Sequence, residues 1–381
     1  MIFWIVALLF TAGPAPVQER LDARSMPSVF MAWNNVDPLP TVEVEKQWQR
    51  ELAVAARHDL VFHGPEWFGL ELEPASTVLW TSLAPESMDE ARKRVAYLRE
   101  RNPNLLLLAE VRYRDAPKNA LPKDHAWWLR DERGRRIVGW EEGGYLRLDE
   151  DNAAFQQHVA RQCKTLMQTG LFDGVMFDWW QDEEPSRLQL ATAVRAAIGE
   201  DSLILVNAND RISPNTAGLI NGSFMECWQS ADWDNWQQIE RTLMWNEANL
   251  REPRINCLST WYETGRDEAG RLRATTALGL TRSDGFVLFC DPGPKDAPDH
   301  QHDWYPLWDA DLGQPTGAGK VQDDGSVHRR FDRGYVVYNR PGNAAVELTF
   351  DRPMRDAFSG AVVKAARIAG ADGGIFLEIE P

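Results

Sequence analysis

The chain has 381 residues, 57 of them acidic and 41 basic, for a formal net charge of −16. That balance, with no Lys/Arg-rich run, excludes the basic footprint of a nucleic-acid binder and favours neutral or cationic ligands. Hydrophobic residues at 44% and charged residues at 26% fit a soluble globular protein with room for one large domain and a small one.

The N-terminus, "MIFWIVALLFTAGPAPVQER", holds an apolar run from Ile2 to Ala12. It is too short to span a bilayer as a helix and has the length of a signal-peptide core. Residues 1–25 are therefore expected to be a signal peptide and short extension. That implies export to the periplasm or medium, with no stable membrane insertion. A buried N-terminal strand and a misassigned start are the alternatives.

Strands and helices then alternate. "SVFMAW" (Ser28–Trp33) reads as a strand, followed by a helix around Val44–Arg57 and a second strand, "LVFHG" (Leu60–Gly64). Ser87 and Glu90 have the S-x-x-E spacing of a capping box, ahead of a helix with Met88, Ala91, Val95 and Leu98 on one face. "NLLLLAEV" (Asn104–Val111) is the third strand, and the long segment Arg112–Asp149 carries Trp127, Trp128 and Trp140. Phe155, Val159, Cys163 and Leu166 stripe a helix that Gly170 ends. The fourth strand is "FDGVMFD" (Phe172–Asp178), and a helix striped by Leu190, Val194 and Ile198 leads to the fifth, "SLILVNAND" (Ser202–Asp210). The sixth lies within "LINGSFMECW" (Leu219–Trp228). A helix around Trp233–Leu250 precedes the seventh, "RINCLSTWY" (Arg254–Tyr262), and one near Asp267–Thr281 the eighth, "DGFVLFCD" (Asp284–Asp291).

These strands are continuous apolar runs, the pattern of strands buried on both faces of a parallel sheet. Eight of them separated by helices predict an α/β fold, a (β/α)8 TIM barrel over residues 26–318. A doubly wound sheet loses support because no G-x-G-x-x-G follows the first strand. Over residues 319–381 the pattern turns to alternation, with Val346, Leu348 and Phe350 on one face and Ile375, Leu377 and Ile379 on another. "GYVVYNRPGN" runs into a Pro-Gly turn, so a small C-terminal antiparallel β-domain packed on the barrel is expected.

The cysteines, Cys163, Cys227, Cys257 and Cys290, have no zinc or redox spacing and read as buried thiols, with a Cys227–Cys257 bridge as the alternative. Tryptophan is abundant, at 17 residues. About half are expected in the core; the rest fall in loops, where flat rings suit sugars.

Barrel sites lie at the C-terminal strand ends. Those ends offer Trp33 and Asn34, then His63, then Glu110 with Arg112, and then Asp178 followed by Trp179. The remaining ends offer Asn207, Glu226 with Trp228, Trp261 with Tyr262, and Asp291. Glycoside cleavage needs two carboxylates flanking one bond, one to protonate the leaving oxygen and one to attack or to activate water. Asp178 and Glu226 are the best pair: the shorter side chain suits a rigid nucleophile, and the longer one suits proton delivery. Glu110 competes, with an ion pair to Arg112 as its structural alternative. The other strand-end residues are expected to bind substrate. In "DHQHD" (Asp299–Asp303), His300 and His302 allow a metal-dependent hydrolase as a weaker alternative, but the pair follows the eighth strand, and a substrate-binding or solvated loop is expected. No nucleophile elbow, P-loop or dinucleotide fingerprint occurs, and no cofactor or metal is expected. The partner implied is a carbohydrate, either cleaved or, as the other alternative, bound without cleavage.

Five stretches, "FDGVMFDWW", "GSFMECW", "GFVLFCDPG", "WYPLWDADLGQP" and then "RRFDRGYVVYNRP", occur in an order that resembles the hypothetical glycosyl hydrolases with a (β/α)8 barrel. Those resemble in turn the polygalactosaminidase-like and α-galactosidase-like barrels. The resemblance runs from about Val29 to Phe350. It implies that the carboxylate ending the fourth strand, Asp178, is the nucleophile and the one ending the sixth, Glu226, the acid/base. The α-galactosidase-like barrels have Asp at the latter position. No particular sugar follows from the resemblance.

Overall fold

The computed structural model describes residues 14–37, 39, 46–141, 143–291 and 300–379. The apolar run 2–12, with its reading as an export signal, lies outside the described residues, as does Asp299.

Eight strands form the barrel: β1 Phe30–Ala32, β2 Leu60–His63, β3 Leu106–Glu110, β4 Gly174–Phe177, β5 Leu203–Asn207, β6 Gly222–Cys227, β7 Cys257–Trp261 and β8 Phe286–Cys290. They pair in parallel in chain order. The ring closes through a parallel bridge between Val29 and Val287, where the Val287 N–H donates to the Ser28 carbonyl at 2.9 Å. Strand alternation explains the apolar runs. Leu60, Phe62, Leu106, Leu108 and Met176 join one buried cluster, while Val61, Leu107, Ala109, Val175 and Phe177 join another with the helices. Phe30, Phe62 and Phe224 plug the interior with ring centroids 5.3–6.2 Å apart. Gly174 lets β4 approach β5, because a Cβ there would meet the Leu203 carbonyl oxygen at 2.2 Å.

Among the described residues, α1 Val17–Ala23 precedes the barrel, and α2 Gln47–Ala55, α3 Met88–Arg101, α4 Ala153–Gln168, α5 Pro185–Ile198, α6 Trp236–Asn249 and α7 Ala269–Arg282 lie between its strands, except that β5 and β6 are joined by turns without the expected helix. In α4 the Asn152 side chain accepts from Ala154 and Phe155 N–H, the predicted stripe is buried, and Gly170 turns left-handed at φ 69°. Each such buried large side chain contributes about 1.5–3 kcal/mol. The capping box at Ser87 does not form. Pro85 opens a 3-10 turn that already contains Ser87, whose hydroxyl donates to the Ala84 carbonyl at 2.7 Å. The Cys227–Cys257 bridge is likewise not formed: all four cysteines are free and buried. In register, Cys257 pairs with Phe224 and Cys227 with Thr260, which sets the two thiols apart along β6 and β7.

The segment between β3 and α4 is a folded excursion rather than a plain loop. Asp115–Pro117 pairs antiparallel with Tyr145–Arg147, and further bridges join Trp128 to Leu148 and Val138 to Leu146. It carries Trp140 and Tyr145 to the barrel mouth. After β8, the described residues contain only a 3-10 turn, Pro306–Asp309, before the second sheet. That sheet has six antiparallel strands: β9 Lys320–Val321, β10 Val327–Phe331, β11 Gly334–Asn339, β12 Val346–Asp356, β13 Val362–Ile368 and β14 Asp372–Glu378, in the order β9-β10-β11-β14-β12-β13. Val327, Val336, Tyr338 and Ile375 pack with Leu272, Ala274 and Ala277 of α7. Arg273 grips Asp372 through two bonds of 2.9 and 2.7 Å. No helix among the described residues is long and apolar enough to cross a membrane.

Candidate active site

The C-terminal end of the barrel opens into a cavity of about 210 Å3 lined by Trp33, Arg112, Trp140, Asp178, Trp179 and Glu226. A second cavity of about 230 Å3 shares Trp33 and Arg112 and adds His63, Trp67, Glu110 and Tyr145. Another cavity, about 820 Å3, is an open groove at the opposite end, beside Arg20, Asp173 and Ser202.

Asp178 follows β4 directly, so the buried Val175 and Phe177 fix its mount. The chain then turns sharply, with Trp179 left-handed at φ 55°. The Trp179 N–H donates back to Asp178 Oδ1 at 2.9 Å. The two tryptophans part company here. Trp180 is buried and donates its Nε1–H to Thr216 Oγ1 at 3.3 Å. Trp179 is 42% exposed, with the Arg114 guanidinium 4.4 Å from its ring.

Asn207, at the end of β5, joins the two carboxylates. Its Nδ2 donates to Asp178 Oδ1 at 2.8 Å and to Glu226 Oε2 at 2.7 Å. Those two oxygens are therefore at most about 5.5 Å apart, the two bond lengths laid end to end. Asn209, left-handed at φ 54°, donates its Nδ2–H to the Glu226 carbonyl at 3.0 Å and braces the end of β6.

Burial, then the neighbouring charges of Glu226 and Glu110, push the Asp178 carboxyl up to about 7; Arg112 and the Asn207 hydrogen bond oppose them. Glu110 itself is anchored: Trp33 Nε1–H donates to Oε2 at 2.7 Å, and Arg112 Nε stands 3.1 Å from Oε1. Burial works to lower the Arg112 guanidinium, but Glu110 and then Asp178 outweigh it and hold its pKa above the usual value.

The other predicted residues divide. His63 lines the second cavity, stacked on Trp67 at 5.1 Å, and burial lowers its pKa. Asn34 lines neither cavity. Trp228 is 51% exposed beyond β6 and stands outside both. Trp261 and Tyr262 pack instead on His300 and Phe289, at 6.3 and 6.0 Å. Asp291 faces a cation rather than a cavity: Arg266 clasps both of its oxygens at 3.0 and 2.6 Å, so its carboxylate is already occupied.

The "DHQHD" loop departs from the solvated reading. His300 and His302 are both fully buried. His302 Nε2 meets His58 Nε2 at 2.9 Å, whereas His300 Nε2 stands 3.4 Å from Glu226 Oε1. The two imidazoles of this His-x-His thus turn to different partners. His300, with Trp140 and Tyr145, is what strand-end reasoning missed, because each arrives on a segment between elements.

A family model described as hypothetical glycosyl hydrolase family 15 matches residues 108–335. No curated protein matches the chain. Among solved structures, the chain is similar to a maltogenic alpha-amylase from Thermotoga neapolitana, with 13% identity and a TM-score of 0.57 over 92% of this chain and 99% of that one. An alpha-amylase from Lactobacillus plantarum gives 10% identity and a TM-score of 0.57 over 95% and 100%. The cyclic alpha-maltosyl-(1→6)-maltose hydrolase from Arthrobacter globiformis gives 12% and 0.55 over 96% and 99%. At these identities the likeness is one of fold.

Proposed function

The chain belongs to hypothetical glycosyl hydrolase family 15 and is a glycoside hydrolase, and from that premise we propose that it cleaves an oligo- or polysaccharide with retention, using Asp178 and Glu226. In this reading the barrel, residues 26–318, is the catalytic unit, residues 319–381 form the β-domain, and residues 1–25 comprise an export signal in the apolar run and an extension whose helix α1 stays docked on the barrel.

One observation carries the mechanism: a single amide nitrogen, Asn207 Nδ2, reaches both carboxylates. The separation this allows agrees with the ~5–5.5 Å between carboxyl groups of retaining enzymes and falls short of the ~6.5–9.5 Å of inverting ones. Glu226 gives its proton to the glycosidic oxygen while the C–O bond breaks and Asp178 Oδ bonds the anomeric carbon. Glu226 then takes a proton from water, whose oxygen attacks the anomeric carbon from the face the leaving group vacated and displaces Asp178. Asn207 holds both groups in register, so little reorganisation is needed as charge moves between them. Trp33, Trp140 and Trp179 offer flat apolar faces to the C–H surface of a sugar ring. Arg112 opposes the upward push on Asp178 and so favours the ionised nucleophile.

The test is a glycan panel that includes maltooligosaccharides, read by release of reducing ends, with product anomers followed by NMR. Retained configuration is expected first; an inverted product would overturn retention. Binding without release would favour the non-catalytic carbohydrate-binding alternative.

A further inference from the structure

A nucleophile that ionises near neutral pH works beside an acid that must be supplied with a proton to deliver there, and the surroundings of Glu226 hold a group that can supply it. His300 is fully buried at the mouth, left-handed at φ 61°. A non-glycine residue in that conformation costs about 1–2 kcal/mol, so its setting must impose it. The Asp37 N–H donates to the His302 carbonyl at 3.0 Å, the Asp291 N–H to the Gln301 carbonyl at 2.8 Å, and His302 Nδ1 contacts the His300 carbonyl at 2.8 Å. These bonds stitch the short segment between the ends of β1 and β8. Trp33 and Phe224 close on the His300 ring at 5.3 and 5.5 Å. Its Nδ1 lies 3.6 Å from Cys290 Sγ, and its Nε2 lies 3.4 Å from Glu226 Oε1.

We propose that His300 is the positioning residue for Glu226, orienting the carboxyl toward the cavity and passing it the proton it delivers to the leaving oxygen. The inference rests on the reading of Glu226 as the acid. In the step, the Nε2–H bond of the imidazolium breaks as an O–H bond forms on Glu226 Oε1. That proton then passes to the glycosidic oxygen, which keeps the electron pair of the breaking C–O bond. Among the described residues, the titratable groups against the ring include Glu226 from β6 and Cys290 from β8; β1 and β7 contribute the uncharged rings of Trp33 and Trp261, and the His302 ring contacts His58. Burial works against the charged ring, but Cys290 and Glu226 outweigh it and raise its pKa well above the ordinary histidine value. The charge on the ring is thus favoured by these contacts and is lost as pH rises through that raised value.

The chain has seven histidines, few enough for side-chain NMR of the full-length protein labelled with 15N-histidine. The His300 signal is assigned by its absence in His300→Gln, or from the backbone if that variant does not fold. Replacing Glu226 by Gln should lower the His300 midpoint by about one pH unit or more. A change below about 0.3 unit would overturn the coupling. On the glycoside that the panel identifies, His300→Gln should lower kcat about 10²-fold and shift the basic limb of the pH profile. The same variant should spare an aryl glycoside of that sugar whose leaving group needs no proton. Equal losses on both substrates would reduce His300 to a structural role and overturn the proposal. Full turnover by Asp178→Ala and Glu226→Ala would sink the catalytic pair, while the NMR titration still decides the coupling without a substrate. An unmoved His300 beside two inactive carboxylate variants would sink the coupling and leave the pair standing.

Discussion

Strand β4 has an aspartate at each end, and the two are treated in opposite ways. Asp173, just before the strand, is buried and accepts from the Leu107 N–H at 2.9 Å. Arg20 reaches both of its oxygens and Arg99 stands 3.7 Å away. Asp178, just after the strand, accepts two N–H bonds but has Glu226 and Glu110 for neighbours, with Arg112 in partial opposition. The residue type and the strand are the same, but Asp173 is buried while Asp178 is half-buried at the mouth, and the company differs too. At the N-terminal end the charge is saturated, and the ion pair fastens α1 and α3 to the strand. At the C-terminal end the charge is left incompletely compensated, which in the proposed mechanism leaves it for the substrate to complete. This division matches the general separation of stability and chemistry between the two faces of such barrels.

The contrast can be broken most sharply through activity. Asp178→Ala and Glu226→Ala should each lower kcat about 10⁴-fold or more with far-UV circular dichroism unchanged; near-normal turnover in either removes that residue from the pair. Asp173→Ala should do the reverse. It strands the Arg20 guanidinium in the interior, at a stability loss of about 3–5 kcal/mol in urea unfolding, while the folded fraction keeps its turnover. Asn207→Ala tests the bridge between the carboxylates: kcat should fall about 10²-fold with a much smaller change in KM. Asp178→Asn sharpens the comparison in sign. Folded Asp178 keeps its proton to about 7, whereas an unfolded aspartate loses it near ~4. The wild type therefore loses stability as pH rises through that window, and the Asn variant does not. At pH 8 it should be the more stable protein, by on the order of 2 kcal/mol, with the gap closing by pH 4. Turnover of the wild type should fall as pH drops below about 7, as the nucleophile takes up its proton. The smallest effect is expected at Trp179→Ala, a rise in KM of about tenfold without a change in Tm. Trp180→Ala, in contrast, should destabilise by about 3–5 kcal/mol.

The barrel was legible because its strands are apolar on both faces, a pattern that few other arrangements of short strands produce. The second sheet was legible in part: β12 alternates at its start and β11 is a short apolar run before a Pro-Gly turn, whereas the two residues of β9 are too few to show a period. Ser87 misled because the S-x-x-E spacing is local and the 3-10 turn from Pro85 that absorbs it is set by packing. The strand ends supplied Asp178, Glu226, Asn207 and Trp33 as candidates. They could not say that Asn207 spans the two carboxylates, because that depends on the spacing of three strands around a closed ring. They left the Glu110–Arg112 ion pair open as an alternative and expected Asp291 to bind substrate, without any sign that Arg266 would clasp it. Whether a strand-end acid faces a ligand or a guanidinium depends on where Arg112 and Arg266 fall, and both lie on connecting segments.

Five non-glycine residues in the described structure have left-handed backbones, and four of them, Trp33, Trp179, Asn209 and His300, gather at the barrel mouth; the fifth, Ala371, sits in a turn of the second sheet. Such conformations run against the intrinsic preference of L-residues by about 1–2 kcal/mol each. An engineer hardening this protein against heat would find these four positions the most inviting targets for glycine, and should leave them alone. In a lineage released from selection for turnover, they are the places where drift toward glycine would first become visible, making four backbone angles an indicator of whether a descendant still works.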